Sequence, residues 1–416
     1  MRILLIVPHA PGGGGNLAPH LGIITLAALT PSDIEVSVID ENVENIDFDD
    51  RFDIVGISAM TPTVMRAYEI ADSFRQRGVP VVLGGLHPSF MPKEAIQHSD
   101  SVVIGEAESI WPNVMRDLEK GKLKKFYKQN AFENLANTPT PRRDLLRRKS
   151  YLMFNTVETS RGCPFHCSYC SVSTFFGHTY RYRPVTEVIK DVETLKGILI
   201  FFVDDNIVGI PKRAKNLFRA LIPYKRKWIG QASLTIARDA ELLDLAARSG
   251  CAGLFIGFES LSQESLHEAA KTINFVDRYA DEIKKIHDRG IAIHGAFIFG
   301  FDHDDESVFE RTVDFVKRHR LDSASFSILT PFPGTQVYRK LMNENRIISK
   351  DWNIYGSAVF EPKLMSREKL LEGCAWAWKE CYSYTSILRR LARPKRLWFI
   401  HFLLNFGYKQ AIDKNI

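Results

Sequence analysis

The 416-residue sequence predicts an α/β protein in three parts. A doubly wound parallel sheet over residues 1–125 is followed by a linker at 126–150, a partial β/α barrel over 151–345 and a helical extension over 346–416. Three observations carry this reading. Short β-branched runs alternate with helical stretches at the N-terminus, a second alternating series fills the middle, and beyond about residue 350 the alternation gives way to helical segments rich in Trp, Tyr and Arg. The chain also exceeds the roughly 250–300 residues that one core supports, so more than one domain is expected.

In the first series the strand candidates are 2–7, 34–39, 54–58, 79–83 and 101–104, with helices at 22–29 and 64–77 between them. Apolar strands without polar alternation are buried on both faces, which requires helices on both sides of a parallel sheet. The opening MRILLIVPHAPGGGG has one basic residue and no small-residue cleavage site, so it reads as a first strand rather than a signal peptide. No stretch approaches the roughly 18–20 apolar residues that span a bilayer. A cytoplasmic location with reduced thiols is therefore expected.

Ligands of such sheets bind beyond the carboxyl ends of the strands. Five loops rich in Gly, Ser, Thr and Asn lie there: residues 8–16, 40–42, Ser58 to Thr61, Gly84-Gly85-Leu86-His87 and Gly105-Glu106-Ala107-Glu108. Each alone is a tight turn; together they predict a pocket for a flat ligand.

The second series has strand candidates at 155–160, 198–203, 229–233, 253–257, 292–298 and 324–329, and helices such as 240–249 and 276–289, the latter closed by Gly290. Repeated β/α units place chemistry at the strand carboxyl ends. Directly after the first of these strands comes TSRGCPFHCSYCS, residues 159–171, which holds three of the six cysteines. Thiolates suit zinc or iron–sulfur clusters. No fourth ligand with zinc-site spacing lies nearby, and a cubane cluster ordinarily takes four cysteines. Three leave one position open, the mark of a catalytic rather than structural site. Cys251, Cys374 and Cys381 form no comparable group and read as packing residues.

The C-x3-C-x-aromatic-C string formed by Cys163, Cys167, Tyr169 and Cys170 resembles the hallmark of radical S-adenosylmethionine enzymes. So do 201–206 (FFVDDN), 228–233 (WIGQAS), 257–260 (GFES) and 330–335 (TPFPGT), and the N-terminal sheet resembles the cobalamin-binding-type domain of one subgroup. The resemblance covers about residues 1–370. It implies a [4Fe-4S] cluster on the three cysteines, S-adenosylmethionine on the open iron, and a 5′-deoxyadenosyl radical that abstracts hydrogen from an unactivated position.

The resemblance also implies roles by position. Tyr169 lies near the adenine; Asp204 and Asp205 take the methionyl ammonium or ribose hydroxyls, one of them doubling as a helix cap. Gln231 and Ser233 face the barrel mouth, and Glu259 and Ser260 match a cofactor-contacting pair. In the first domain Ser58, Thr61, Gly84, Gly85, His87, Gly105 and Glu106 are expected to bind cobalamin, although the D-x-H-x-x-G loop that often ligates cobalt is missing: residues 40–47 read DENVENID. His294, inside a strand, fits a core histidine or a substrate contact. No single catalytic residue is singled out.

Cobalamin-dependent methylation of an unactivated carbon in a small molecule, a lipid or natural product, is thus the expected function. Radical cyclisation or rearrangement by a chain that has lost cobalamin is the alternative, and a non-enzymatic metal or nucleic-acid binder is the third. The expected electron donor is a flavodoxin or ferredoxin, and no nucleic-acid partner is expected. Residues 387–407 combine basic residues with a Trp/Phe/Leu run, the composition of an interfacial helix or of a helix packed on the barrel, so contact with the inner face of a membrane is a further expectation.

Overall fold

The computed structural model describes residues 1–9, 17–392 and 398–415. Two six-stranded parallel sheets organise it. The first has the order β2 (Glu35–Asp40), β1 (Arg2–Val7), β3 (Ile54–Ser58), β4 (Val81–Gly84), β5 (Ser101–Ile104) and β6 (Phe126–Lys128). Its central strands are buried on both faces, as their unbroken apolar runs require. Because β2 lies on one side of β1 and β3 on the other, the topological switch point falls at the carboxyl ends of β1 and β3.

Strand β6 lies within the expected linker. It is only three residues long and has a single buried side chain, Tyr127, too little to show as a periodic pattern. Leu135 and Leu146 of the same segment are buried as well, as is Tyr151 just beyond it, whose hydroxyl donates to Asp40 at 2.9 Å.

A second departure concerns the start of the barrel. The run 155–160 divides into β7 (Thr156–Val157), which joins the second sheet, and β8 (Ser160–Gly162), which leaves it to pair antiparallel with β9 (Tyr180–Tyr182). Gly162 ends β8 at φ +80°, a left-handed conformation natural to glycine. The cysteine loop therefore hangs from a small ribbon at the mouth rather than from the barrel wall.

The second sheet runs in sequence order from β7 through β10 (Leu199–Phe202), β11 (Lys227–Ala232), β12 (Cys251–Glu259) and β13 (Ala292–Phe299) to β14 (Ser323–Ile328), all parallel. Neighbouring strands consecutive in sequence make an open barrel wrapped by the crossover helices. Side chains alternate between the helix layer and the lumen: Ile293, Phe297 and Phe299 are buried outward, whereas His294 and Ala296 line the interior.

The C-terminal extension begins with a single 3-10 turn, Trp352–Ile354, before its α-helices. Residues 352–360 return to the first domain, where Trp352 Nε1 donates to Glu94 at 2.9 Å and Val359 is fully buried. Helices Arg367–Cys381, Tyr384–Leu391 and Trp398–Asn415 follow. Arg390, part of the expected lipid-facing basic run, is fully buried and donates to the carbonyls of Leu321, Asp322 and Cys381. It belongs to the packed reading of that segment. Arg393, Lys395 and Arg396 lie outside the described residues, as do residues 10–16 of the glycine-rich loop. No helix among the described residues is long and apolar enough to cross a membrane.

Candidate active site

The three cysteines of the 163–170 loop converge on a cavity of about 440 Å³ that fills the barrel lumen. All are free thiols. Burial pushes the Cys163 and Cys167 thiols up, and the Lys271 ammonium pulls both back. Asn206 donates toward Cys163 Sγ at 3.8 Å while its Oδ1 accepts from the Ser233 amide at 3.2 Å, so the end of β10 is tied to both the loop and β11. Cys251, Cys374 and Cys381 are buried elsewhere.

Of the expected residues, Tyr169, Asp205, Gln231, Ser233 and Glu259 line this cavity. Asp205 accepts from the Gly162 amide at 2.9 Å, and its burial, reinforced by Asp204, pushes its carboxyl up to about 7. Glu259 stands at φ +67° beyond a register shift in β12, a strained conformation that turns its carboxylate back over Gly257. A Cβ on Gly257 would collide with that carboxylate, so only glycine leaves it room. Lys271 Nζ donates to Glu259 Oε1 at 3.0 Å.

Two expected residues face away. Asp204 is buried beneath the loop and accepts from the Thr159 hydroxyl at 2.7 Å and from Ser160. Ser260 accepts from the Ser262 amide and caps a turn. Asn206, Lys271 and Phe255 line the cavity but were not singled out from sequence. Only Asn206 carried a local signal, since it directly follows the Asp pair at a strand end.

In the first domain, Ser58, Gly84 and Gly85 line an apolar slot of about 130 Å³ that runs between the Leu21–Leu29 helix and the sheet toward Trp111. Ser58 also lines a cavity of about 340 Å³ at the switch point, with Asp40, Asn42 and Met60. The other expected residues are structural. His87 is fully buried between the Thr61 hydroxyl (3.1 Å) and Glu94 (3.3 Å), with Trp352 edge-on at 4.9 Å. Gly105 packs on Gln129. Glu106 forms ion pairs with Arg161 and Arg181, both at 2.8 Å, and thereby fastens the first sheet to β8 and β9.

The two hollows adjoin. Val203, from the barrel, lines the switch-point cavity, and Leu17, from the first domain, lines the thiol cavity. A hollow switch point opposed to a barrel mouth with three thiols and an ion pair defines an enzyme built to bring two bound cofactors to one substrate.

Family comparisons specify which. The radical SAM superfamily model matches residues 157–316 and the B12 binding domain model residues 14–115. The bacteriochlorophyllide d C-12(1)-methyltransferase of Chlorobaculum tepidum is 33% identical over 94% of this chain and 89% of its own. The C-8(2)-methyltransferase of the same organism is 30% identical over 94% and 92%. In fold, the structure of the methyltransferase TsrM from Kitasatospora setae with cobalamin and [4Fe-4S] cluster bound covers 99% of this chain and 98% of its own at TM-score 0.76 and 16% identity. The chain belongs to the radical S-adenosylmethionine superfamily, in its cobalamin-dependent methyltransferase branch. Its cofactors are a [4Fe-4S] cluster, S-adenosylmethionine and cobalamin.

Proposed function

We propose that this enzyme methylates a carbon of an apolar, ring-containing natural product of the bacteriochlorophyllide type. Cys163, Cys167 and Cys170 hold the cluster; Tyr169, Asp205, Gln231, Ser233, Glu259 and Lys271 surround S-adenosylmethionine; Ser58, Gly84 and Gly85 border the cobalamin site. The observation that carries the reading is the adjacency of the two hollows through Leu17 and Val203.

The donor sets fit these groups. Three soft thiols line one cavity with no fourth protein thiol beside them, and the glycine-floored slot is apolar and narrow, suited to a flat heterocycle. When bound, the cluster and S-adenosylmethionine supply an alkyl radical and cobalamin supplies the methyl group. The chain's part is to hold and shield. Glu259 and Lys271 offer one anionic and one cationic anchor to an amino acid headgroup. Asn206 donates to a cluster thiolate, and Phe201 and Phe255 keep the lumen apolar around the substrate.

Ring closure is the less supported alternative, since both bacteriochlorophyllide relatives are methyltransferases. The external electron source is a small flavodoxin- or ferredoxin-type protein. Contact of the C-terminal segment with a membrane surface loses support from the burial of Arg390.

The test is anaerobic turnover of the reconstituted enzyme with methyl-labelled S-adenosylmethionine and bacteriochlorophyllide d. One labelled methyl in the macrocycle supports the reading. No incorporation, with 5′-deoxyadenosine still formed, removes that substrate class.

A further inference from the structure

The lumen cavity has two chemically different ends. Asp205, Glu259 and Lys271 stand at the mouth with the cysteines. Four residues earlier on β12 is Phe255, about 13 Å deeper along the strand. At this deeper level Phe255 pairs with His294 of β13, which pairs with Ser323 of β14. The walls are aromatic: the Phe201 and Phe255 rings lie 6.1 Å apart, and His294 tilts against Phe255 at 4.9 Å. None of the described residues lining this end bears a formal charge at neutral pH.

Its polar groups are the Gln231 amide of β11, whose register partner is Phe255, the His294 imidazole of β13 and the serines of β14. The residues of β14 alternate so that Ala324, Phe326 and Ile328 bury outward while Ser323, Ser325 and Ser327 take the other face. His294 Nδ1 lies 2.8 Å from the Ser323 hydroxyl and Nε2 lies 3.1 Å from the Ser325 hydroxyl. Burial, with a smaller contribution from Arg390, pushes the imidazole down to about 4, so the ring is neutral at physiological pH.

A neutral imidazole has one donor and one acceptor nitrogen, and a hydroxyl can do both. With the proton on Nδ1, Nε2 accepts from Ser325, whose oxygen then offers lone pairs to the cavity. With the proton on Nε2, the ring donates to the Ser325 oxygen and frees its O–H to donate outward. Ser325 lines the cavity and Ser323 does not, so Ser325 is the exposed end of the relay.

We propose that this deep end is a substrate-recognition subsite for an aromatic or conjugated moiety that bears one neutral carbonyl or hydroxyl, with Ser325 as the contact and His294 as its positioning residue. A carboxylate is disfavoured, because no cation lines this end to pair with it, the Arg390 guanidinium being held by the carbonyls of Leu321, Asp322 and Cys381 and by Asn405, and burying an unpaired charge costs several kcal/mol. The inference rests on the reading that the lumen receives the organic substrate, and it adds which part of that substrate is recognised.

The test uses the anaerobically reconstituted holoenzyme and three probes of one shape: 2-acetonaphthone, 2-ethylnaphthalene and 2-naphthoate, followed by equilibrium dialysis. The ketone should bind about tenfold more tightly than the hydrocarbon, the scale of one buried hydrogen bond, and naphthoate should bind weakest. Ser325→Ala and His294→Phe should bring the ketone-to-hydrocarbon ratio near one while leaving the dissociation constant of S-adenosylmethionine unchanged. An unchanged ratio in Ser325→Ala, or naphthoate binding as tightly as the ketone, overturns the proposal. If Ser325→Ala loses the discrimination but wild-type enzyme does not methylate bacteriochlorophyllide d, the subsite stands and that substrate falls.

Discussion

Lys271 Nζ lies 3.0 Å from Glu259 Oε1 at the barrel mouth, and Lys271 is the one cationic side chain among the described residues lining the thiol cavity. Its removal leaves Glu259 buried without a counter-ion and weakens the pull on the Cys163 and Cys167 thiols. Lys271→Met should raise the dissociation constant of S-adenosylmethionine by about thirtyfold or more, the lower end of the roughly 2–5 kcal/mol that truncating one member of a buried charge pair costs. Equilibrium dialysis with reconstituted protein measures this; wild-type affinity would exclude Lys271 from the cofactor site.

Cys167→Ala should purify without a stable cluster. Iron content and the visible absorption of anaerobically reconstituted protein report this directly. Cys374→Ala, a buried thiol in the C-terminal helix, should keep the wild-type iron content.

Arg161 is nearly fully buried and meets Glu106 at 2.8 Å, Glu158 at 2.9 Å and also Glu108. Arg161→Met strands these carboxylates and should cost about 3–5 kcal/mol, as breaking a buried ion pair does. Denaturant unfolding measures the loss. Because Arg161 sits two residues before Cys163, iron incorporation should fall with it.

Gly84 borders the slot in the first sheet, and an added Cβ there meets only Val103 at 3.7 Å, an ordinary contact. Gly84→Leu should fold, fill the slot and lower the cobalamin bound per chain by about tenfold or more, the scale of one displaced buried side-chain-sized contact. Iron content serves as the control and should not change.

His294 gives the stability a pH signature. Unfolded histidine titrates near 6.5, whereas burial holds the folded imidazole down to about 4. Between these values the unfolded chain binds more protons, so stability rises with pH across that window and this contribution is complete above it. His294→Gln should flatten that part of the profile, as read from denaturation midpoints at a series of pH values.

The parts of this enzyme that were legible in its sequence are those whose information is local. Cys163, Cys167, Tyr169 and Cys170 fall within eight residues, so the three-thiol group can be read from spacing alone. The strands β1, β3 and β12 announced themselves because each carries a run of apolar residues bounded by turn residues. Strand β6, with one buried side chain, did not. Gly84 and Gly85, which border the slot, were legible as a tight turn at a strand end because that turn is written in the residues themselves.

The sequence by itself determined the two parallel sheets, their order along the chain and the thiol loop, because each rests on short apolar runs or on the spacing of neighbouring residues. Tertiary structure alone decided which polar residues serve the cavity and which serve the frame. Glu106 and Arg161 are separated by 55 residues and meet only because the loop after β5 lies beside β8. Asp204 and Asp205 are adjacent and chemically identical, yet successive side chains point to opposite sides, so one is buried under the loop and the other faces the lumen. Lys271, His294 and Ser325 reach one cavity from three separate segments, and no local pattern records that meeting.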